Sequence, residues 1–162
     1  MRRSLGVLCA IALLGIGQQP SAAQSILFND FSDLSGFTLN GHAAGAVNTG
    51  GEDVLRLTTA TYSQAGSAFL ADPISLAEDV AFSSAFAFQI TGSGGCCSDT
   101  DGGGADGLVF VVTQTPNAVG GAGVGIGYLG IPNSIGIEFD TWNNGSYWGD
   151  LSGNHVAVNW NG

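Results

Sequence analysis

The chain has 162 residues, of which 3 are basic and 13 are acidic, so its formal net charge at pH 7 is −10. A chain with so few cations cannot neutralise the phosphates of a nucleic acid or the headgroups of an anionic membrane, which strongly disfavours both as partners. The charge instead favours a divalent cation or a neutral, hydroxyl-rich ligand.

The first 23 residues predict a secretory signal peptide. They combine a basic start, an apolar run over residues 5–17 and small residues before position 24, where cleavage would occur. The apolar run is shorter than a helix that spans a bilayer, and no later segment is long and apolar enough to do so. We therefore expect a secreted protein without direct membrane insertion. Its mature domain, residues 24–162, would carry Arg56 against all 13 acidic residues, a formal charge of −12.

From residue 25 onward, short apolar runs alternate with glycine, asparagine, aspartate and serine, which is typical of strands joined by turns. In the run over residues 81–90, Phe86, Phe88 and Ile90 share one face, because alternate residues of a strand point to the same side. No segment keeps an apolar period of 3.6 residues, so we expect very little helix. The sequence predicts an all-β, antiparallel sandwich. Its predicted strands span residues 26–28, 37–39, 54–58, 67–70, 80–90, 107–113, 134–140 and 155–160.

Cys96 and Cys97 are the two cysteines that follow the signal peptide. Adjacent cysteines rarely bond to each other, because the ring that they close is strained. A disulfide to a partner in an oxidising compartment and an incidental pair in a loop insertion both stay open. In either case the fold must depend on an apolar core, for which the length of the mature chain is sufficient.

The last predicted strand is followed directly by Asn161-Gly162, where the sequence stops. Asn-Gly is a strong hairpin signal, yet no returning strand follows it. The strand over residues 155–160 would then have an open edge, which natural β-proteins avoid. We therefore expect this sequence to be the front part of a longer protein.

The segment from residue 138 to residue 155 is rich in side chains of the metal-ligand type. Carboxylate and amide oxygens suit a hard cation such as calcium, whereas carboxylates with an imidazole suit a transition metal. The even-numbered residues from Glu138 to Asn144 would point to one side of an extended chain, and Asp150 and His155 would return to them after a loop. The segment therefore predicts two ions that share a carboxylate. The alternative is a polar loop with a surface histidine.

The same segment resembles the metal loop of the legume-type (L-type) lectins, which runs E-x-D-T-aromatic-x-N, then D, then H. Here it reads Glu138-Phe-Asp-Thr-Trp-Asn-Asn144, then Asp150 and His155. The stretch Ala105-Asp-Gly-Leu-Val-Phe110 is similar to the family's Ala-Asp-Gly strand, and residues 125–130 resemble its glycine loop. The resemblance implies a secreted, bacterial-like member with a concanavalin-like jelly-roll sandwich. Such a domain is non-catalytic and binds carbohydrate or a glycoconjugate; homo-oligomerisation stays open.

The resemblance also implies roles for single residues. A transition metal, typically manganese (Mn²⁺), would be held by Glu138, Asp140, Asp150 and His155. Calcium (Ca²⁺) would be held by Asp140, the carbonyl of Trp142, the amide oxygen of Asn144, and Asp150.

The implied sugar contacts involve five residues. Asp106, preceded by a cis peptide, would accept hydrogen bonds from sugar hydroxyls. The amide nitrogen of Asn144 and a backbone N–H of Gly125 or Gly127 would donate hydrogen bonds, and the ring of Trp142 would stack on the apolar face of the sugar.

Three shorter motifs point to other sites and are weaker. Residues 125–130 match G-x-G-x-x-G, but no helix pattern follows, as a dinucleotide site requires. Residues 99–106 resemble a calcium loop, but Phe110 stands where an EF-hand needs its closing glutamate. Asn144-Gly-Ser146 is a glycosylation sequon, and a glycan there would block the metal segment, so we interpret it as coincidental.

Two alternative functions are retained. Some secreted jelly-roll glucanases present E-x-D-x-x-E, and Glu138-Phe-Asp140 supplies the first half of that motif. Asn143, however, replaces the second glutamate, and an amide cannot donate the proton that a retaining glycosidase needs. The other alternative is a structural surface module whose site is vestigial.

Overall fold

The computed structural model describes residues 25–76, 81–92, 98–99 and 102–162. The predicted signal peptide, the first residue of the strand predicted over 80–90, and the pair Cys96 and Cys97 lie outside these ranges. Within them the chain forms nine β-strands and one short 3-10 helix, Gly123–Gly125, and every strand pair is antiparallel. The described part of the chain holds no helix long and apolar enough to cross a membrane. The fold is therefore all-β, as the sequence predicts.

The strands form four small sheets. Their bounds are β1 Phe37–Gly41, β2 Ala44–Val47, β3 Asp53–Arg56, β4 Gly66–Leu70, β5 Ser98–Asp99, β6 Gly102–Gly103, β7 Gly107–Thr113, β8 Ser134–Asp140 and β9 His155–Trp160. Strand β1 pairs with β4, β2 with β3 and β5 with β6, while β7, β8 and β9 form a three-stranded sheet with β8 in the centre.

The register of the three-stranded sheet separates its two connecting loops. Gly107 of β7 and His155 of β9 both pair with Asp140, so these three residues lie at one end of the sheet. Thr113 pairs with Ser134 at the other end. The connection from β7 to β8 therefore starts at the Ser134 end, and the connection from β8 to β9 starts and finishes at the Asp140 end.

Strand β8 has one polar and one apolar face, because alternate residues of a strand point to opposite sides. Ser134, Gly136, Glu138 and Asp140 share the first face, and Ile135, Ile137 and Phe139 share the second. Phe86 and Phe88 lie on the apolar face. Their ring centroids are 5.5 Å from that of Phe110 and 5.0 Å from that of Phe139, respectively.

The buried apolar centre of the described chain consists of Tyr128 and Ile131, which follow the 3-10 helix. The hydroxyl of Tyr128 lies 3.0 Å from the hydroxyl of Ser134 and donates to the carbonyl of Asn159 at 3.3 Å. The Tyr128 ring packs against Gly136, where an added Cβ would lie 2.9 Å from it. The absence of a side chain at Gly136 therefore lets the β7–β8 connection pack directly onto the sheet.

The strand predictions are confirmed best in the three-stranded sheet, where 107–113, 134–140 and 155–160 are the observed bounds. The predictions over 37–39, 54–58 and 67–70 also correspond to strands, with shifted ends. The predictions over 26–28 and 80–90 are wrong, because residues 26–28 and 81–90, the described part of these segments, pair with no strand. Their aromatic rings still pack: Phe28, for example, lies 4.4 Å from Phe37 between ring centroids. Contact between rings needs no backbone ladder, so the apolar pattern alone was misleading there.

Candidate metal centre

Four side chains converge where β8 and β9 meet the loop that connects them. Nε2 of His155 lies 3.4 Å from Oε1 of Glu138 and 3.9 Å from Oδ2 of Asp140. It also lies 3.7 Å from Oδ1 of Asp150, which the loop supplies. The candidate ligand atoms of Asp140, Asp150 and His155 all lie within 4.8 Å of one another. All four side chains are largely shielded from solvent.

The hydrogen bond of His155 fixes which ring nitrogen is free. Nδ1 lies 2.9 Å from the carbonyl oxygen of Ser152. A carbonyl can only accept, so Nδ1 carries the proton and donates it. In the neutral ring this leaves a lone pair on Nε2, which faces the carboxylates. A metal-binding histidine is usually oriented in this way, by a hydrogen bond from the ring nitrogen that does not bind the metal.

Each of the three carboxylates uses one oxygen in a hydrogen bond within the protein. Oδ1 of Asp140 accepts from the backbone N–H of Trp142 at 2.7 Å, and Oδ2 of Asp150 accepts from that of Asn144 at 2.6 Å. Oε2 of Glu138 accepts from the amide nitrogen of Asn159. The other oxygen of each carboxylate is the one that faces Nε2 of His155. Three carboxylate oxygens and one imidazole lone pair are a donor set that fits a divalent transition metal.

The pKa values of Asp140 and His155 are shifted by burial and by the negative charges of the cluster. Burial raises the pKa of Asp140 to about 6; the hydrogen bond from Trp142 opposes this, and the charge of Asp150 adds to it. For His155, burial lowers the pKa, but the hydrogen bond to Ser152 and the nearby carboxylates outweigh burial, so its pKa is raised. Without a cation, Asp140 and His155 therefore keep their protons to a higher pH than usual, and a metal ion would require both in their deprotonated form.

Asp106 lies at the same end of the sheet as the cluster. The Ala105–Asp106 peptide is cis, as the resemblance implies. The carbonyl of Asp106 accepts from the backbone N–H of Thr141 at 2.8 Å. This bond joins Asp106 to the first residue of the metal loop, residues 141–154, which connects β8 to β9. Burial raises the pKa of its carboxyl group. A cleft of about 330 Å³ is lined in part by Gly104, Thr141 and Asn154.

The structure brings most of the predicted sugar contacts to one place. Trp142 and Asn144 are half-buried in the segment that directly follows β8, and their backbone N–H groups are held by the carboxylates of the cluster. Asp106, Trp142 and Asn144 therefore all belong to the Asp140 end of the sheet. Their contact with a sugar stays a prediction.

The two glycine candidates, Gly125 and Gly127, lie in the connection between β7 and β8. Gly125 ends the 3-10 helix, and its carbonyl accepts from the backbone N–H groups of Tyr128 and Leu129. The N–H of Gly127 donates to the carbonyl of Gly121 at 2.8 Å, so it already has an acceptor. Contacts of this loop run to β4, to the Ser134 end of β8 and, through the Tyr128 hydroxyl, to the carbonyl of Asn159 in β9. The sugar contact of either glycine stays a prediction.

Sequence reasoning missed two residues that orient the cluster, Ser152 and Asn159. Asn159 could have been found, because it alternates with His155 along β9 and so shares its face with the cluster. Ser152 acts through its backbone carbonyl, and no side-chain pattern carries that information.

Comparison with protein-family models matches residues 23–162 to the legume lectin domain.

Proposed function

Because the chain belongs to the legume lectin domain family, whose β-sandwich domains bind carbohydrate and are generally non-catalytic, we propose that it is a secreted lectin with a metal-organised sugar site. Calcium and a transition metal, typically manganese, would hold the segment from Glu138 to His155 in a binding conformation. The export that this proposal includes rests on the signal peptide pattern in the first 23 residues.

The proposal rests on one observation: the two oxygens of each carboxylate have different partners. One oxygen of Asp140 and one of Asp150 hold backbone N–H groups of the segment that contains Trp142 and Asn144. The remaining oxygens point toward His155. An ion bound among them would neutralise charges that otherwise repel, and would thereby fix the loop.

The residues beside the cluster have the chemistry that a sugar requires. Asp106 would accept hydrogen bonds from hydroxyl groups, and the amide of Asn144 could offer oxygen to calcium and nitrogen to the ligand. The ring of Trp142 would cover the apolar face of the sugar. The bond from Thr141 N–H to the Asp106 carbonyl supports a common site, since it links Asp106 to the metal loop.

A direct test is the variant Asp106→Asn, with Asp72→Asn, an exposed carboxylate remote in sequence, as the control. Loss of a charge-assisted hydrogen bond should weaken sugar binding by about 1.5–3 kcal/mol, because one acceptor becomes an NH₂ donor. Binding would be measured by calorimetry with the strongest ligand found on a glycan array. Unchanged affinity in Asp106→Asn would contradict this role.

The glycosidase alternative is less well supported. The position that should carry its second acid is Asn143, whose side-chain oxygen accepts from the N–H of Gly145 at 2.8 Å. Both oxygens of Glu138 are engaged within the cluster, one with Asn159 and one facing His155. We therefore propose a binding function without catalysis. Release of reducing sugar from β-glucans by the unaltered protein would overturn it.

A further inference from the structure

Asparagine is followed by glycine three times in the chain, at Asn40-Gly41, Asn144-Gly145 and Asn161-Gly162. The asparagine of such a pair is chemically labile, since glycine has no side chain to hinder attack by its own backbone nitrogen. We propose that Asn144, alone of the three, is a site of spontaneous deamidation in the folded protein, and that bound metal protects it. The modification goes beyond the proposed function, and only its effect on sugar binding rests on that function.

The amide groups of the other two asparagines are fixed by hydrogen bonds. Nδ2 of Asn40 donates to the hydroxyl of Ser67 at 3.0 Å and to the carbonyl of Pro116 at 3.2 Å. Oδ1 of Asn161 accepts from the backbone N–H of Ser134 at 3.2 Å. These bonds would have to break before either side chain could turn toward the next backbone nitrogen. They therefore protect Asn40 and Asn161 while the fold is intact.

The side-chain amide of Asn144 is not held in this way. Its backbone N–H donates to Asp150, but within the described part of the chain its amide group makes no hydrogen bond, and it reaches solvent. The glycines differ as well. A Cβ added at Gly145 would meet no described atom within 4 Å, whereas one at Gly41 would lie 2.4 Å from the carbonyl oxygen of Ala65. The space that a cyclic intermediate needs is therefore open at Gly145.

The reaction needs no reagent other than water. The backbone nitrogen of Gly145 attacks Cγ of Asn144, so that a bond from this nitrogen to Cγ forms and the bond from Cγ to Nδ2 breaks. Ammonia leaves with the proton of the backbone N–H, and a succinimide remains. Water then opens the succinimide at either carbonyl, which gives aspartate or isoaspartate. Both products lack the amide nitrogen that the proposed sugar site uses as a donor.

A bound ion would slow this reaction in two ways. Calcium, held as proposed above, would take the amide oxygen of Asn144 as a ligand and so fix the side chain. It would also keep the metal loop closed, and there the N–H of Gly145 donates to Oδ1 of Asn143 at 2.8 Å, which holds the attacking nitrogen. Without metal the carboxylates repel one another and the loop opens. Deamidation would therefore mark molecules that have lost their metal.

The test follows the masses of three peptides. The purified protein would be kept for days at mildly alkaline pH, with a chelator in one sample and with calcium and manganese in another. Cleavage after acidic residues places the three pairs in separate peptides, over residues 34–52, 141–150 and from 151 onward. With chelator we expect NH₂ to be replaced by OH at Asn144 about tenfold faster than at Asn40 or Asn161, since one bond that must open first accounts for such a factor. Metal should slow the reaction at Asn144 by a similar factor.

Two controls separate the effect of the fold from that of the sequence. In urea the three pairs lose their folded contacts and should react at similar rates. In Asn144→Gln the mass gain at this position should disappear, because the longer side chain would have to close a larger ring. After reloading with metal, the deamidated fraction of the wild type should bind the strongest ligand of a glycan array about fivefold more weakly, since one hydrogen bond is lost.

Two results would overturn the inference. One is an equal rate at all three asparagines in the folded, chelated protein, and the other is a rate at Asn144 that metal does not change. Fresh protein that binds no sugar of the array would contradict the proposed function alone, because the peptide masses are measured without any ligand.

Discussion

The loop over residues 120–130 and the loop over residues 141–154 are held by different kinds of bond. In the first, called the glycine loop because it includes residues 125–130, backbone N–H groups donate to backbone carbonyls, as Gly120 does to Gly127 at 2.7 Å and Gly121 to Leu129 at 3.1 Å. In the second, the metal loop, the N–H groups of Trp142 and Asn144 donate to carboxylates. Neutral partners do not depend on pH or on ions, whereas clustered carboxylates do. The glycine loop should therefore keep its shape under conditions that open the metal loop.

Removal of metal should give the largest difference between the two loops. With a chelator at neutral pH, the carboxylates of the cluster lose their counter-ion and repel one another, so sugar binding should be lost. Amide hydrogen exchange should accelerate at Trp142 and Asn144 and stay unchanged at Gly121 and Gly127. Calcium with manganese should restore both binding and protection. Equal sugar affinity with and without chelator would show that the metal loop does not build the site.

Acid should also act on the metal loop alone. Whether it lowers or raises the stability of the fold depends on whether metal is present. Asp140, with a pKa of about 6, and His155, with a raised pKa, must both lose protons before a metal binds. Metal affinity should therefore fall as the pH drops through about 6. The stability that a bound metal adds to the fold should fall with it.

The metal-free protein should show the opposite trend. A carboxyl whose folded pKa is raised stabilises the fold at low pH, and this contribution is lost as the pH rises through about 6. His155 acts in the same direction, since its raised pKa contributes stability below its ordinary value that disappears at higher pH. Melting temperatures between pH 5 and 7.5, with and without calcium and manganese, should form curves of opposite slope. Parallel curves would contradict the assignment of the cluster.

A single ligand change should produce a smaller effect. In Glu138→Gln the side-chain oxygen can still accept from Asn159, while the charge that faces His155 is removed. We expect manganese affinity to fall by about tenfold or more, and sugar affinity to fall with it. Glu52→Gln, at an exposed carboxylate, is the matched control. Calorimetric titration with manganese would measure both, and equal affinities would remove Glu138 from the ligand set.

The smallest effect is expected in the glycine loop. Gly127 has φ +69°, where any other residue is strained, so Gly127→Ala should destabilise the fold by about 1–2 kcal/mol. Gly121→Ala in the same loop is the control, since its Cβ would make ordinary contact at 3.6 Å with Leu129. Urea unfolding measures the difference, and manganese affinity should be equal in both variants. A loss of manganese affinity in Gly127→Ala would show that the two loops are coupled.

The sequence was most informative where strong β-formers alternate with turns. Strands β7, β8 and β9 were predicted with their observed bounds, whereas β2, built from Ala44-Gly-Ala-Val47, was missed because its small residues give little strand signal. The convergence of Asp140 and His155 follows from alternation in two neighbouring strands. The role of the Ser152 carbonyl was not predictable, because it depends on the path of the loop backbone.

Because β8 has one polar and one apolar face, the register of β9 along it decides which side chains meet the carboxylates. If β9 slipped by one residue along β8, every side chain of β9 would turn to the other face, and His155 would leave the carboxylates for the apolar side. A pairing slipped by one residue therefore lacks the imidazole ligand that the native pairing of Asp140 with His155 supplies. A bound metal ion would therefore stabilise the native pairing over one slipped by a single residue. The ion would thus favour the correct strand register during folding, before any sugar is bound.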